Sequence, residues 1–131
     1  MGPRTRFALA VIAAFALGGA VVEGLHAQAK AKPPVYVVAE IDVTDVDGYV
    51  KEFAPKAQAL IKRSGATLLA AGQNVTAFEG RPPAKRVAIQ RWESLEQYKA
   101  YRDSPEFKEN RMIGDKYATF RAFAVEGVPQ H

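Results

Sequence analysis

The stretch RWESLEQYKAYRDSPEF, residues 91–107, contains two helix-start signals close together. Ser94, followed three residues later by Gln97, has the pattern of a capping box, which satisfies free amides in the first turn of a helix. Ser104 precedes Pro105, and a proline at the first helical position loses no backbone hydrogen bond. Because the residue before a proline avoids helical angles, the first helix must end there. The stretch therefore predicts one bent helix that turns a corner and continues to about Lys116.

Strand patterns lie on both sides of this bent helix. RVAIQRW (86–92) precedes it and TFRAFAVEG (119–127) follows it. Alternation of side chains between two faces is the periodicity of a strand. Within 86–92, one face carries Val87, Ile89 and Arg91, and the other carries Ala88, Gln90 and Trp92.

The N-terminal half predicts another strand and helix. VYVVAEIDV (35–43) has one wholly apolar face, which should pack against helices. TDVD (44–47) is a capping-box pattern that opens a helix. Pro55 should kink that helix, since it removes one backbone hydrogen bond. Gly65 can close the helix in the left-handed conformation.

Two more segments complete the set of elements. ATLLAAG (66–72) and NVTAFEG (74–80) predict one strand, bent or bulged near Gly72, before an RPPAK turn. The order is then strand, helix, strand, strand, bent helix, strand. This is the α+β, ferredoxin-like βαββαβ arrangement, and right-handed crossovers place both helices on one face of an antiparallel sheet.

The opposite face of this sheet would be bare. An apolar sheet face in a small domain needs a cover. A second copy related by a two-fold axis supplies one without a further gene product. The predicted partner is therefore a second copy of the chain, in a homodimer.

The sequence resembles a known family in most of its length. The matching segments are YVVAEIDVTDVDGYVKEF, GATLLAAGQNVTAFEG, SLEQYKAYRDSPEFKENR and a terminal VEG, and the most specific are FEG (78–80) and YRDSPEF (101–107). They resemble domain of unknown function 1330, in the dimeric α/β-barrel superfamily. The resemblance implies a homodimer whose sheets form a barrel, and it implies no reaction. Sister families include cofactor-free monooxygenases, haem-degrading enzymes and small-molecule binding proteins.

The chain departs from the family pattern at the entry to the second helix. Family members usually carry Glu-Phe-Pro-Ser there, whereas this sequence has Arg91, Trp92, Glu93 and Ser94. The serine cap is kept, but an acid has become a base and a proline is lost. If the acid of the family lines a pocket, the pocket of this protein differs in charge.

The N-terminal segment has the pattern of an export signal. Basic Arg4 and Arg6 precede an apolar run, Phe7–Val22, and the small-residue sequence AQA ends at Ala29. This order predicts a secretory signal peptide that is cleaved after Ala29, and hence a periplasmic or secreted protein with no stable membrane span. An uncleaved anchor is the alternative, although the apolar run is short of the roughly 20 residues of a span. The predicted organisation is a signal peptide (1–29), a tether (30–34) and one domain (35–131).

The composition excludes several kinds of chemistry. The chain has no cysteine, which rules out disulfides and thiolate sites. Its two histidines are His26, within the predicted signal, and His131, the last residue. A Ser-His-Asp site and a metal site are therefore not expected, and no cofactor is predicted. The net charge is +4, with basic residues spread along the chain, so no nucleic-acid partner is expected.

Six residues are candidates for a ligand pocket. Glu40 lies mid-strand, where a carboxylate needs a cation, and Arg86, Arg91 and Arg121 are the candidates for that partner. The other alternative for Glu40 is a ligand contact. The five remaining candidates are Asn74, Trp92, Tyr98, Tyr101 and Arg102.

These five candidates have both functional and structural interpretations. Asn74 and Trp92 can be matched to two of the three residues used by haem-degrading relatives, but no internal histidine matches the third. Tyr98, Tyr101 and Arg102 could form a wall for a flat anionic ligand. The alternative for the aromatic residues is ordinary packing in the core.

Three functions follow as hypotheses. The first is binding of a small molecule, or an accessory role, by an exported homodimer. The second is a cofactor-independent oxygenase or isomerase with Trp92, Asn74 and Glu40 near its site. The third is a dimerisation module without a ligand, which a closed and filled space between sheet and helices would favour.

Overall fold

The computed structural model describes residues 33–129, so the predicted signal peptide, most of the tether and His131 lie outside the described residues. The strands are β1 (Val35–Val43), β2 (Thr67–Gly72), β3 (Arg86–Trp92) and β4 (Ala118–Glu126). The helices are α1, made of the consecutive segments Val46–Gly48, Tyr49–Phe53 and Ala54–Arg63, then α2 (Leu95–Asp103) and α3 (Pro105–Gly114).

The four strands form one antiparallel sheet in the order β2-β3-β1-β4. This confirms the predicted ferredoxin-like βαββαβ arrangement, with helices covering one face. Val35, Val37 and Ile41 are buried on the helix-covered face, as the alternation in β1 requires. In the part of the chain that the structure describes, no helix is both long and apolar enough to cross a membrane.

The bend between α2 and α3 forms as the two caps predict. Ser94 Oγ accepts a hydrogen bond from the Gln97 amide at 3.1 Å. Ser104 has an extended backbone, and its Oγ accepts from the Phe107 amide at 3.2 Å. Since α3 starts at Pro105, the missing N–H of that proline leaves no intrahelical bond unmade.

The start of α1 differs from the prediction by one residue. The cap is Asp45, whose carboxylate accepts from the Gly48 amide at 3.0 Å. Thr44, the first residue of the predicted capping box, instead donates its hydroxyl to the Tyr117 carbonyl at 3.0 Å. Thr44 thus links the start of α1 to the connection between α3 and β4. An aspartate caps as well as a threonine does.

The predicted disturbance at Pro55 takes the form of a π-helical turn. The segment Tyr49–Phe53 is π-helical, and a regular α-helix restarts at Ala54. Pro55 then lies in the first turn of the restarted helix, where its missing N–H is tolerated. At the far end, Gly65 adopts φ +92°, which confirms the left-handed closure of α1.

The prediction of a strand over residues 74–80 is wrong. Strand β2 ends at Gly72, and residues 74–78 are irregular. The neighbouring strand cannot pair with them because β3 begins only at Arg86. Pro82 and Pro83 precede it, and prolines lack the N–H that a ladder requires. A bulge does occur in β2, but it lies between Leu68 and Ala70 rather than near Gly72, which pairs regularly with Val87.

The core consists of two clusters between sheet and helices. The larger one surrounds Trp92, which is fully buried, and includes Tyr98, Tyr101 and Phe107. Its rings are close, with the Trp92 centroid 5.1 Å from that of Tyr98 and 4.8 Å from that of Tyr101. The smaller cluster contains Ile41, Tyr49, Phe53 and Ala118.

Truncation of Trp92 to alanine should strongly destabilise the fold. The indole is central to the larger cluster, and removal of a buried tryptophan costs about 3–5 kcal/mol. Met112→Ala is the control, since Met112 is 71 % exposed on α3. Urea denaturation followed by circular dichroism measures both free energies of unfolding. If Trp92→Ala lowers the free energy of unfolding no more than Met112→Ala does, this account of the core is contradicted.

Candidate functional site

A row of alanines crosses the middle of the sheet on its helix-covered face. Ala39 in β1 lies opposite Ala88 in β3 and Ala122 in β4, and Ala88 lies opposite Ala71 in β2. Methyl groups cannot reach the helices that pack about 10 Å away from a sheet. Space therefore remains above this row between the two layers.

This space is a cavity of about 90 Å³. A single water needs only about 10–15 Å³, so the cavity can hold a group larger than water. Much of its wall is aromatic, from the side chains of Tyr49, Phe53, Tyr101, Phe107 and Phe120. Aromatic walls with few polar groups are typical of small-molecule sites.

The cavity opens to solvent between α1 and the edge strand β2. Gln58, Leu68 and Ala71 belong to its lining, and all three are exposed. The deeper lining is buried, including Ile41, which is 6 % exposed. A ligand could thus enter from the β2 edge without unfolding the core.

Besides the exposed Gln58 at the opening, the mostly apolar wall contains four amide or guanidinium side chains: Arg86, Gln90, Asn110 and Arg111. Asn110 is only 6 % exposed. Its Oδ1 atom, Arg86 Nε and Arg111 Nε are buried and have no hydrogen-bond partner in the described structure. Buried polar atoms nearly always have partners, so three unpaired atoms around one cavity are unusual.

Arg86 is positioned by the register of β3. It lies opposite Ile41, two residues before Ala88, so its side chain is directed to the cavity side of the sheet. Its guanidinium lies 5.1 Å from the centroid of the Tyr49 ring. Tyr49 is the first residue of the π-helical turn in α1. The irregular turn thus supplies the ring on which the cation rests, and such turns are frequent at functional sites.

Arg111 is positioned by helix α3, next to Asn110. Its guanidinium lies 4.0 Å from the centroid of Phe120 and 4.8 Å from that of Phe107. Burial lowers the pKa of Arg111, and the nearby Arg102 guanidinium lowers it further. Arginine nonetheless remains charged at neutral pH. The wall of the cavity therefore holds a half-buried cation on which Arg102 acts more strongly than the acidic Asp115 does.

Both arginines act on the same phenol. Burial raises the pKa of Tyr49, and the charges of Arg86 and Arg111 offset part of that rise. The charges of both guanidiniums therefore act on Tyr49, although only Arg86 lies over its ring. No carboxylate and no imidazole belong to the lining given by residues 33–129.

Gln90 is held by the core tryptophan. Its Oε1 accepts a hydrogen bond from Trp92 Nε1 at 2.8 Å, and Gln90 is 7 % exposed. With the amide oxygen engaged, the amide nitrogen of Gln90 is the group that remains to donate towards the cavity. Trp92 therefore orients a polar group of the site as well as filling the core.

The structure brings four of the six sequence-predicted candidates together. Trp92, Tyr98 and Tyr101 pack in one cluster, and Arg102 donates a hydrogen bond to Tyr98 Oη at 3.3 Å. Among the six, Tyr101 lines the cavity. Burial, followed by the proximity of Tyr98, raises the pKa of Tyr101 to about 12.

Glu40 lies on the other, uncovered face of the sheet. It forms an ion pair with Arg121, its cross-strand neighbour in β4, and also accepts a hydrogen bond from the Ala84 amide at 2.9 Å. The Ala84 amide and the Arg121 charge together hold the pKa of Glu40 below its usual value. Of the other two proposed partners, Arg91 pairs with Glu93 and Arg86 lines the cavity.

Asn74 lies apart from the cavity, in the exposed segment after β2. Sequence reasoning also missed most of the polar lining. One signal was available in β3, where Arg86, Ala88, Gln90 and Trp92 alternate on one face, since polar residues on a helix-covered face are unusual. Asn110 and Arg111 gave no such signal, because their place beside β3 depends on the packing of α3. Within residues 33–129 there is no cluster of acids or histidines that could hold a metal ion.

Comparisons with known proteins identify the family and the fold. The family described as domain of unknown function (DUF1330) matches residues 34–128. No curated protein sequence matches the chain significantly.

Solved structures are similar in fold at low sequence identity. A protein of unknown function from Rhodopseudomonas palustris, RPA0582, has a TM-score of 0.62 at 12 % identity, over 82 % of this chain and 94 % of that one. SnoaB, a cofactor-independent oxygenase from Streptomyces nogalater, has a TM-score of 0.54 at 16 % identity, over 75 % and 96 %. A dimeric protein of unknown function and ferredoxin-like fold from Bacteroides fragilis has a TM-score of 0.51 at 13 % identity, over 74 % and 99 %.

The raised pKa of Tyr101 predicts a loss of stability in alkali. The phenol has a usual pKa of 10.0 and a pKa of about 12 in the folded protein. Its contribution to the free energy of unfolding is therefore fully present below pH 10 and is lost as the pH rises towards 12. Tyr101→Phe should therefore show a smaller fall in the free energy of unfolding across that range than the parent chain. Urea titrations at several pH values measure this. Equal falls in both proteins would refute the assignment.

Proposed function

The chain belongs to the DUF1330 family, and we propose that it is an exported homodimer that binds a small molecule in the cavity between its sheet and helices. The observation that carries this proposal is the set of three unpaired polar atoms, on Arg86, Asn110 and Arg111, around one aromatic-walled cavity. A buried donor or acceptor without a partner costs about 1–3 kcal/mol, and more when it is charged. A bound molecule that pairs with these atoms removes that cost.

This observation favours binding over a purely structural role. A dimerisation module would be most stable if side chains filled the space between sheet and helices, because each cavity lowers stability. Here the space is unfilled, and its wall contains two arginines where apolar side chains would pack better. The arrangement is explained if the residues serve a ligand.

The oxygenase alternative has less support from this site. SnoaB is similar to the chain in fold alone, at 16 % identity. Proton abstraction usually requires a carboxylate or an imidazole within hydrogen-bond reach of the substrate, and the cavity lining described for residues 33–129 provides neither. The proposal is therefore a binding protein, without an assigned reaction.

The homodimer is supported by the uncovered face of the sheet. Leu69, Phe123 and Val125 are 51 %, 45 % and 57 % exposed in the single chain. Phe78, in the irregular segment after β2, is 95 % exposed. Large exposed apolar side chains on a sheet face favour an interaction site, and a dimeric protein of the same fold from Bacteroides fragilis supports a second copy as the cover of that face.

A charge introduced on the uncovered face should break the dimer. Phe123→Glu would bury a carboxylate against the partner, so we expect the variant to sediment as a single subunit at a concentration where the parent is a dimer. Met112→Glu is the matched control, because Met112 is exposed on α3 on the helical side. Analytical ultracentrifugation measures mass, and circular dichroism confirms folding. A parent chain that sediments as a folded monomer at micromolar concentration would refute the homodimer.

Export is proposed from the N-terminal sequence pattern, which lies outside the described residues. Expression of the full-length chain in a bacterium with an outer membrane should yield periplasmic protein that begins at Lys30. Retention of residues 1–29 in the membrane fraction would support the uncleaved anchor instead.

Native mass spectrometry of that periplasmic protein should report a dimer that carries one small molecule per subunit. Ala88→Leu fills the cavity at the centre of the alanine row and should remove the bound mass without unfolding the chain. Ala100→Leu adds the same volume on the exposed side of α2 and should leave it unchanged. An empty parent dimer that also binds no member of a small-molecule panel would refute the binding function.

A further inference from the structure

The unpaired atoms of the cavity specify the chemistry of its ligand. Two of them, Arg86 Nε and Arg111 Nε, are donors on cationic side chains, and the third, Asn110 Oδ1, is a neutral acceptor. A guanidinium pairs most strongly with a carboxylate or another oxyanion. An amide oxygen pairs with an O–H or N–H group. A complementary ligand thus carries an anionic group and a hydrogen-bond donor.

Both guanidiniums lie over the faces of aromatic rings around the cavity. Arg86 rests on Tyr49 and Arg111 on Phe120, at 5.1 Å and 4.0 Å from the ring centroids. A planar guanidinium that stacks on a ring keeps its N–H groups free at the edge. The stacking therefore fixes the position of each cation without satisfying its donors.

The charge of these two cations is not balanced within the described lining. The ring faces attract cations only weakly, whereas removing a charge from water is costly. Among the charges that act on Arg111, Arg102 repels it, and Asp115 on the following turn attracts it more weakly. An anion between Arg86 and Arg111 would offset this cost.

The remaining lining limits the body of the ligand. Tyr101 and Phe53 contribute further rings, and the row that includes Ala39 and Ala88 leaves a flat floor. A flat apolar group fits between such surfaces. The volume of about 90 Å³ restricts it to roughly one ring, even with the open side towards Gln58.

Resting on the proposed binding function, we infer that the ligand is a small planar carboxylate with one ring and a hydroxyl group. The carboxylate pairs with Arg86 and Arg111, the hydroxyl donates to Asn110 Oδ1, and the ring lies among the aromatic side chains. Tyr49 lies at the anionic end, where its phenol can donate a further hydrogen bond to the carboxylate.

Isothermal titration calorimetry of the dialysed mature protein tests this inference with 3-hydroxybenzoate as the probe, whose hydroxyl cannot bond to its own carboxylate. The corresponding amide, 3-hydroxybenzamide, has the same ring and hydroxyl without the charge, benzoate lacks the hydroxyl, and inorganic phosphate lacks the ring. The probe 3-hydroxybenzoate should bind, and 3-hydroxybenzamide should bind at least about tenfold more weakly, as expected for lost charge-assisted hydrogen bonds. Benzoate should fall between them, and phosphate should be the weakest.

Variants locate the binding. Arg86→Met and Arg111→Met should each weaken binding of 3-hydroxybenzoate at least about tenfold while leaving binding of 3-hydroxybenzamide nearly unchanged. Arg63→Gln removes an exposed charge at the end of α1 and serves as the charge control. Asn110→Ala should reduce the affinity for 3-hydroxybenzoate to that for benzoate. Thermal unfolding without a probe shows whether each variant is folded.

Several results would overturn the inference. Equal binding of 3-hydroxybenzamide and 3-hydroxybenzoate would remove the role of the anion, and equal binding of phosphate would remove the role of the ring. Binding of 3-hydroxybenzoate that survives both arginine variants would place the ligand elsewhere. If a neutral compound binds the parent but not Ala88→Leu, the binding function stands and the ligand class alone is wrong. If no probe binds, the inference fails, and the native mass spectrum decides whether the binding function fails with it.

Discussion

The row of alanines across the sheet is the constraint from which the site follows. Right-handed crossovers place every described helix on one face of the four strands, and side chains on that face determine how closely the layers approach. Large residues fill the ends, around Trp92 and around Phe53. In the middle, Ala39 and Ala88 face each other and are too small to fill the gap. The cavity is thus a consequence of strand register and side-chain size.

The same register determines the polarity of the cavity. Arg86 and Gln90 flank Ala88 on the same face of β3, so both must lie at the border of the gap. Trp92, the next residue on that face, holds Gln90 through its indole N–H. Helix α3 adds Asn110 and Arg111 from above. A core built for stability alone would place apolar side chains here, since replacing buried charges by well-packed apolar groups is often stabilising.

The sequence was sufficient for the architecture because its signals are local. Ser94 and Ser104 cap helices through bonds to amides three residues away, and Gly65 closes α1 through its own backbone angle. The strand at 74–80 was mispredicted because strand formation also needs a partner. The prolines at 82 and 83 remove that partner, a non-local effect that the alternation of side chains does not reveal.

The site was less predictable for the same reason. Tyr101 was identified from its place beside the predicted sheet, and Glu40 was correctly expected to pair with a strand arginine. Arg111 and Arg86 lie far apart in sequence, and they line one cavity only in the folded chain. Their importance comes from unpaired donors in a low-dielectric space, which is a property of the folded chain alone.

The uncovered face and the cavity are separate consequences of one-sided packing. Glu40 and Arg121 pair across β1 and β4 on the uncovered face, while Ala39 and Ala122, their neighbours in the chain, face the helices. The strand alternation thus places the proposed dimer surface on one side of the sheet and the cavity on the other. The two properties can therefore be altered independently by substitution.

The most direct test of this account is the electron density inside the cavity of the crystallised mature protein as it is purified from cells. The account predicts density for an anion, or for ordered water in its place, within hydrogen-bond distance of both Arg86 Nε and Arg111 Nε. A cavity that has closed, with both guanidiniums turned out into solvent, would contradict it.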